Sequence, residues 1–383
     1  MLNLTQLPPL SLYIHFPWCV QKCPYCDFNS HAVKNKIPER EYVQALIKDL
    51  EQHLPEIWGR TISSIFIGGG TPSLLSPEAL DQLMVELRAR LNINPNIEIT
   101  LEANPGTVEQ GKFAEFRSVG INRLSIGIQS FNEYHLQKLG RIHNRKDAIR
   151  AAEQAHDAGF DNFNLDLMFG LPQQSIDEAI KDINIAIDLE PTHISHYQLT
   201  IEPNTYFHTH TPTLPDDERI WSMQEQCQNI LAERNYDQYE ISAYAKDKRQ
   251  CKHNLNYWQF GDYLGIGAGA HGKLSNAAQQ TITRHWKLKH PQDYLQAENK
   301  ISGEKELKQN DLTLEFMMNA MRLKEGVETE IFSIHTGLDI NIIDLQLQQA
   351  SDQGWMDVDD HRIKPTERGQ HFLNDLLALF VND

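Results

Sequence analysis

No apolar stretch of this 383-residue sequence approaches the ~20 residues that span a bilayer. Residues 1–10 carry neither a basic segment nor a small-residue cleavage site. Both absences set the expectation of a cytoplasmic protein. Positive charge is scarce as well: 35 Lys and Arg face 52 Asp and Glu, a net charge of −17. Phosphate binding needs concentrated cations, so no nucleic-acid partner is expected. A local basic pocket remains compatible with that balance, with Arg141, Arg145 and Lys146 as candidates. No repeat, low-complexity tract or G-x-x-x-x-G-K-[ST] phosphate loop is present.

Cysteine is also rare. Five thiols, an odd number with three crowded at Cys19, Cys23 and Cys26, make no disulfide framework. Those three follow Leu12-Tyr13-Ile14-His15-Phe16-Pro17-Trp18, an apolar, aromatic run that reads as a buried strand. Soft thiolates suit iron, and three on one loop can hold three corners of a cubane iron–sulfur cluster. A ferredoxin closes its cluster with a fourth cysteine and only moves electrons. Here the fourth iron is left open and can bind a substrate or cofactor. The alternative is zinc, which would need His15 or His31 to complete its ligands. Cys227 falls in a helical pattern and reads as a core thiol; Cys251, beside His253, reads as structural.

Strand-like and helix-like segments alternate over the first two-thirds of the chain. The strands are expected at Leu10–Phe16, Ile62–Gly69, Ile97–Glu102, Arg123–Gln129, Asn162–Met168 and Ile194–Thr200. Between them, helices are expected at Arg40–His53, Pro77–Leu91, Val108–Val119, Lys146–Ala158 and Ile176–Leu189. This order implies right-handed crossovers and a parallel sheet. Six units fall two short of a closed (β/α)8 barrel, so the fold class is α/β, an open, partial (β/α)6 TIM-like barrel. Functional residues of such folds gather at the carboxyl ends of the strands. The segments following the strands fit that rule: the cysteine loop, Gly68-Gly69-Gly70-Thr71-Pro72, Glu102-Ala103-Asn104-Pro105, Gln129-Ser130, and Asp166 shortly before Gly170. The glycine run lets backbone approach a ligand closely, or simply makes a tight turn.

The spacing C-x3-C-x2-C resembles the radical S-adenosylmethionine superfamily. Taken with Ile67-Gly68-Gly69-Gly70-Thr71-Pro72, Glu102-Ala103-Asn104-Pro105, Leu124-Ser125-Ile126-Gly127-Ile128-Gln129-Ser130-Phe131, Leu139-Gly140-Arg141-Ile142-His143 and Asn164-Leu165-Asp166-Leu167-Met168-Phe169-Gly170-Leu171-Pro172, the chain resembles the oxygen-independent coproporphyrinogen III dehydrogenases and their heme-chaperone relatives. That resemblance implies a [4Fe-4S] cluster on Cys19, Cys23 and Cys26. It places Tyr13, Tyr25, Gly69 and Glu102 near the cluster-bound S-adenosylmethionine. Gly70, Thr71, Gln129, Arg141 and Asp166 match positions that hold a second molecule of it in the dehydrogenase. No side chain is singled out as catalytic.

One departure separates the two branches. The dehydrogenase pattern adds a cysteine two places after the third, where this chain has Phe28, so coproporphyrinogen dehydrogenase activity is not expected, though a radical enzyme acting on a porphyrinogen is the alternative. His253-Asn254-Leu255-Asn256-Tyr257-Trp258 is similar to the heme-binding segment of the chaperone branch. Imidazole is a common axial ligand, and Tyr257 and Trp258 can flank a porphyrin. The resemblance therefore implies heme as a third cofactor and delivery to an acceptor hemoprotein, a membrane-associated respiratory component being one candidate. A monomer or weak homodimer is expected. Leu264-Gly265-Ile266-Gly267-Ala268-Gly269-Ala270-His271-Gly272 receives no role, His271 standing only as a second candidate ligand.

Three regions are expected: the barrel over 1–240, a heme-motif and connecting region over 241–310 with a helical piece, and a small helical, winged-helix-like unit over 311–383. Winged helices often bind DNA, but residues 341–383 hold eight acidic and three basic side chains. That balance opposes phosphate contact and suggests a lid, a protein-contact surface or a wall of the substrate site.

Overall fold

The computed structural model describes residues 2–106 and 111–381. Six strands, β1 (Leu10–Phe16), β2 (Thr61–Gly69), β3 (Asn92–Ala103), β4 (Arg123–Gln129), β5 (Phe163–Phe169) and β6 (His193–Gln198), pair in chain order, each parallel to the next. They alternate with α1 (Glu39–Ile57), α2 (Pro77–Arg90), α3 (Phe113–Ser118), α4 (Glu133–Lys138), α5 (Arg145–Asp157) and α6 (Ile176–Asp188). Of the helix expected from Val108, the first residues lie outside the described ones.

The alternation within β1 explains the layering. Leu10, Leu12, Ile14 and Phe16 are buried in one core with Tyr42, Val43, Leu46 and Leu50 of α1. The intervening Ser11, Tyr13 and His15 face the other way, and successive strands bring Ser64, Glu98, Ser125, Asn164 and Asp166 into hydrogen-bonded contact on that polar face. Sharp helix starts follow from capping. Ser76 Oγ accepts from Ala79 N at 3.2 Å before Pro77, and Asn144 and Ser175 each complete a capping box.

The sheet continues beyond the barrel strands at both sides. On β6 lie the antiparallel β8 (Ala243–Ala245) and β7 (Asp237–Glu240). On β1 lies β9 (Asp262–Ile266), parallel to it, followed by antiparallel β10 (His271–Asn276), β11 (Thr281–Lys287) and β12 (Ile301–Glu306). The polar stretch from 277 to 310, expected as a connecting segment with a helical piece, therefore supplies two paired strands around a short helix, Pro291–Gln296. β12 closes the sheet on that side and is mostly exposed. A charged run such as Glu304-Lys305-Glu306 suits an unpaired edge and conceals the apolar alternation that announces a strand. β3 likewise begins earlier than its apolar pattern, because polar Asn92 pairs with Thr61.

Past α7 (Asp217–Glu233) and α8 (Lys252–Trp258), the chain runs through α9 (Gln309–Ala320), α10 (Thr329–Thr336), α11 (Asp344–Asp352) and a hairpin, Met356–Val358 with Arg362–Pro365, joined by Val327–Glu328, and then forms two short helices, Glu367–His371 and Leu373–Ala378. Its core of Leu312, Phe316, Phe332, Leu347 and Ile363 also takes in Phe260 and Ile282. No helix among the described residues is long and apolar enough to cross a membrane.

Candidate functional site

The loop after β1 carries Cys19, Cys23 and Cys26, all half-buried free thiols. Backbone bonds shape it: Cys26 N donates to Cys23 O at 3.2 Å and Val33 N to Cys19 O at 2.8 Å. The loop end of β2 holds it from behind, with Gly70 N donating to Phe16 O at 2.7 Å and Thr71 N to Trp18 O at 2.8 Å. Gly69 and Gly70 are required by this approach. A Cβ on Gly69, whose φ is +113°, would lie 2.5 Å from the His15 ring, and one on Gly70 would lie 2.5 Å from Trp18 O.

Polar groups from three other strands converge on the same rim. Arg141 Nη1 lies 3.6 Å from Cys23 Sγ, while its Nη2 donates to Asn104 Oδ1 at 2.5 Å and Gly127 O at 2.7 Å. Asn104 Nδ2 in turn donates to Thr71 Oγ1 at 2.8 Å. Burial opposes the Arg141 charge, but Tyr25 and Cys23 more than offset it and hold the guanidinium protonated. Ser30 Oγ stands 3.9 Å from Cys26 Sγ. As free thiols Cys19 and Cys26 are pushed up in pKa, chiefly by burial.

Deeper in the mouth, Glu102 Oε2 accepts from Gly69 N at 3.0 Å. Burial, and then the nearby Asp166, push its carboxyl up to about 7. Asp166 is raised too, by burial, although it accepts from Asn164 Nδ2 at 2.7 Å and Ser125 Oγ at 3.0 Å. Gln129, at φ +68°, accepts from Tyr197 OH at 2.8 Å. Tyr25 packs near Phe207, ring centroids 6.4 Å apart, and burial raises its phenol.

Tyr13 OH lies 2.9 Å from His15 Nδ1, and His15 Nε2 lies 2.8 Å from Asn29 O. A carbonyl can only accept, so Nε2 carries the proton and Nδ1 accepts from the tyrosine. Burial pushes the His15 pKa down to about 4, in keeping with that neutral form.

The donor set fits a cluster with one open iron. Three half-buried thiols share one loop, a guanidinium faces one of them, and Glu102 and Asp166 stand within the same mouth. Among the described residues no three His, Cys, Asp or Glu side chains converge as ligands of a single ion; in a cubane each thiolate binds a different iron. Beside Cys23 and Cys26 opens a cavity of about 680 Å³ bordered by Lys22, Lys138, Tyr206 and Phe207.

His253, Tyr257 and Trp258 are elsewhere. They lie on α8, which crosses the opposite, amino-terminal side of the barrel strands. Glu98 of β3 receives the backbone N–H of Lys252 and of His253, each at 3.2 Å. Asn256 Nδ2 donates to Ser11 Oγ at 2.8 Å. His253 Nδ1 is 3.0 Å from Ser64 Oγ, and Ser64 gives its own proton to Ser11 Oγ at 2.8 Å. The His253 Nδ1 must therefore be the donor, which leaves Nε2 with the lone pair. Burial pushes this imidazole down to about 3. Its ring stands 5.1 Å from Phe66 and 6.4 Å from Tyr13, so Tyr13 is where the two sets of residues approach each other. Tyr257 packs on Tyr263 at 5.1 Å, and Arg322 lies over the Trp258 ring at 4.3 Å.

Asn104, Tyr197, Ser30 and Asn29 belong to this site without having been singled out from the sequence. Asn104 fell within a motif that pointed to Glu102; the others carry no local signal.

Residues 13–186 match the model of the radical SAM superfamily, and residues 307–372 match that of the HemN C-terminal domain. The chain is 50% identical over 378 residues to the heme chaperone HemW of Escherichia coli K12, covering 99% of this chain and 100% of that one. It is 51% identical over 384 residues to the heme chaperone HemW of Haemophilus influenzae, covering 99% and 100%. Among solved structures, the coproporphyrinogen III oxidase HemN of Escherichia coli, described as a radical SAM enzyme, superposes with a TM-score of 0.82. It is 22% identical, with 98% of this chain and 91% of that one covered.

Proposed function

This chain belongs to the HemW family of heme chaperones within the radical SAM superfamily, and on that premise we propose that it binds heme and transfers it to an acceptor hemoprotein. The observation that carries the reading is the likeness to heme chaperones over the whole length. The geometry supports it at His253, where a neutral imidazole oriented by Ser64 keeps its lone pair on Nε2, the form in which histidine binds iron. Tyr257 and Trp258 on the same short helix would flank the porphyrin.

In this reading Cys19, Cys23 and Cys26 hold the [4Fe-4S] cluster. Tyr13, Tyr25, Gly69 and Glu102 would hold S-adenosylmethionine at the cluster, while Gly70, Thr71, Gln129, Arg141 and Asp166 would line a second place beside it. The chemistry such a cluster would supply when bound and reduced is an electron for S-adenosylmethionine. The chain's own part is to hold and orient. Arg141 pairs with a carboxylate, and Glu102 and Asp166 accept from an amino group or ribose hydroxyls. Phe28, at the position of the dehydrogenase's additional cysteine, is 58% exposed and offers no further thiolate.

Residues 1–240 would then carry the cluster and S-adenosylmethionine, 241–310 the heme segment, and 311–383 a surface toward the acceptor. A respiratory-chain hemoprotein at the membrane is the acceptor we propose, met by a cytoplasmic chaperone that is a monomer or weak homodimer.

Heme titration of the anaerobically reconstituted chain, with a parallel assay for 5′-deoxyadenosine, tests the reading. Retained heme, weakened by His253→Ala, is the expected result. Turnover of coproporphyrinogen III without heme retention would overturn it in favour of a porphyrinogen-directed radical enzyme.

A further inference from the structure

The turn Gly267-Ala268-Gly269, between β9 and β10, has no part in the function described above, yet it lies directly against the cysteine loop. Asn29, three residues beyond Cys26, donates its Nδ2 to Ala268 O and to Lys289 O, both at 2.9 Å. Its own carbonyl accepts from His15 Nε2 at 2.8 Å. The two glycines make the approach possible. Gly269 has φ +82°, and a Cβ there would stand 2.2 Å from Asn29 Nδ2. Gly267 has φ +107°, and a Cβ there would stand 2.3 Å from His15 O.

The turn is itself fixed from below. Tyr42 OH donates to His15 O at 2.7 Å and accepts from Ala268 N at 3.0 Å. Gly267 N donates to Asp49 Oδ2 at 3.1 Å, and Asp49 is paired in the core with Lys287. The exit of the cysteine loop is thus tied through one side chain to a turn braced on α1 and β11.

The loop's two ends pair as short parallel strands, Trp18–Cys19 with His31–Ala32, but Cys23, Cys26 and Asn29 between them lie outside helix or sheet and are only as precise as their anchors, and a cluster tolerates little error in the spacing of its three thiolates. We propose that Asn29 is a positioning residue for the cluster: by clamping the loop exit onto the Gly267–Gly269 turn it fixes Cys26 relative to Cys19 and Cys23. Asn29 is not a ligand, and the inference rests on the reading of the three thiols as cluster ligands.

The test uses the full chain, reconstituted anaerobically with iron and sulfide, as wild type, Asn29→Ala, Gly269→Ala and Gln52→Ala. Gln52 Nε2 donates to Glu298 O at 2.5 Å, so its loss removes a neighbouring tie to α1 without touching the cysteine loop. Iron and sulfide per chain, the rate of iron loss to a chelator, and the electron paramagnetic resonance signal with and without S-adenosylmethionine are measured. Circular dichroism of the cluster-free chains reports folding. We expect Asn29→Ala and Gly269→Ala to lose iron about 10-fold faster, with an altered resonance signal, and Gln52→Ala to match wild type. Because Gly269→Ala disturbs the same contact from a distant segment, it keeps the test open should Asn29→Ala fold poorly. A wild-type rate and signal in both variants would overturn the proposal, as would an equal loss in Gln52→Ala. A wild-type chain that takes up no cluster would overturn the thiol assignment and the anchor with it.

Discussion

Arg141 reaches Cys23 across 118 residues of sequence, its Nη1 standing 3.6 Å from the thiol sulfur while Nη2 is held by Asn104 and the carbonyl of Gly127. A rigidly held cation beside one thiolate stabilises negative charge on whatever that thiolate binds. Arg141→Ala is therefore expected to weaken S-adenosylmethionine binding by about 10-fold, in line with the ~1.5–3 kcal/mol of a hydrogen bond to a charged group, and to lower the reduction potential of the cluster. Arg141→Lys keeps the charge but not the fork that bonds two acceptors, so it should fall between the two. Calorimetric titration and potentiometric resonance measurements check both points.

Glu102 predicts a pH dependence in the cluster-free protein. Its folded pKa, about 7, lies above the ordinary value of 4.5, with burial as the main cause. The folded state therefore binds the proton more tightly than the unfolded state does. Glu102 weighs least on stability below about pH 4.5, and stability falls as pH rises from there to about 7. Glu102→Gln removes this contribution and should be relatively more stable than wild type at pH 8 than at pH 5. Urea unfolding at the two pH values decides it; an unchanged difference between the two proteins would contradict the assignment.

Gly69 has no room for a side chain. Alanine there would meet the buried His15 imidazole at a backbone φ of +113°. Gly69→Ala should cost about 1–3 kcal/mol from the strained backbone alone, read by urea unfolding, and should lower the iron taken up on reconstitution because it displaces the residue that supports Asn29.

Ser64 orients His253. Ser64→Ala leaves Nδ1–H without its acceptor and releases control of the tautomer. Heme affinity should fall about 10-fold, as for other groups that orient a ligand histidine. His253→Ala should fall further, and Tyr263→Phe, which touches Tyr257 but not the imidazole, should change little. Spectrophotometric heme titration separates the three.

What the amino-acid order determined by itself is what depends on neighbours along the chain. Alternating Leu10, Leu12, Ile14 and Phe16 prescribes a strand with one apolar face. Ser76, Asn144 and Ser175 start their helices at the residue their side chains can cap. The interval between Cys19, Cys23 and Cys26 confines three thiols to one loop. The tertiary structure alone decided the rest, since it depends on contacts between residues far apart in sequence. No local pattern announces that Arg141 would meet Cys23, that Asn29 would meet Ala268, or that α8 would carry His253 under the barrel, on the side away from the thiols. Nor could composition reveal β11 and β12: only their pairing beside β10 makes strands of so polar a stretch, and β12, as the edge, has a ladder on one side and water on the other.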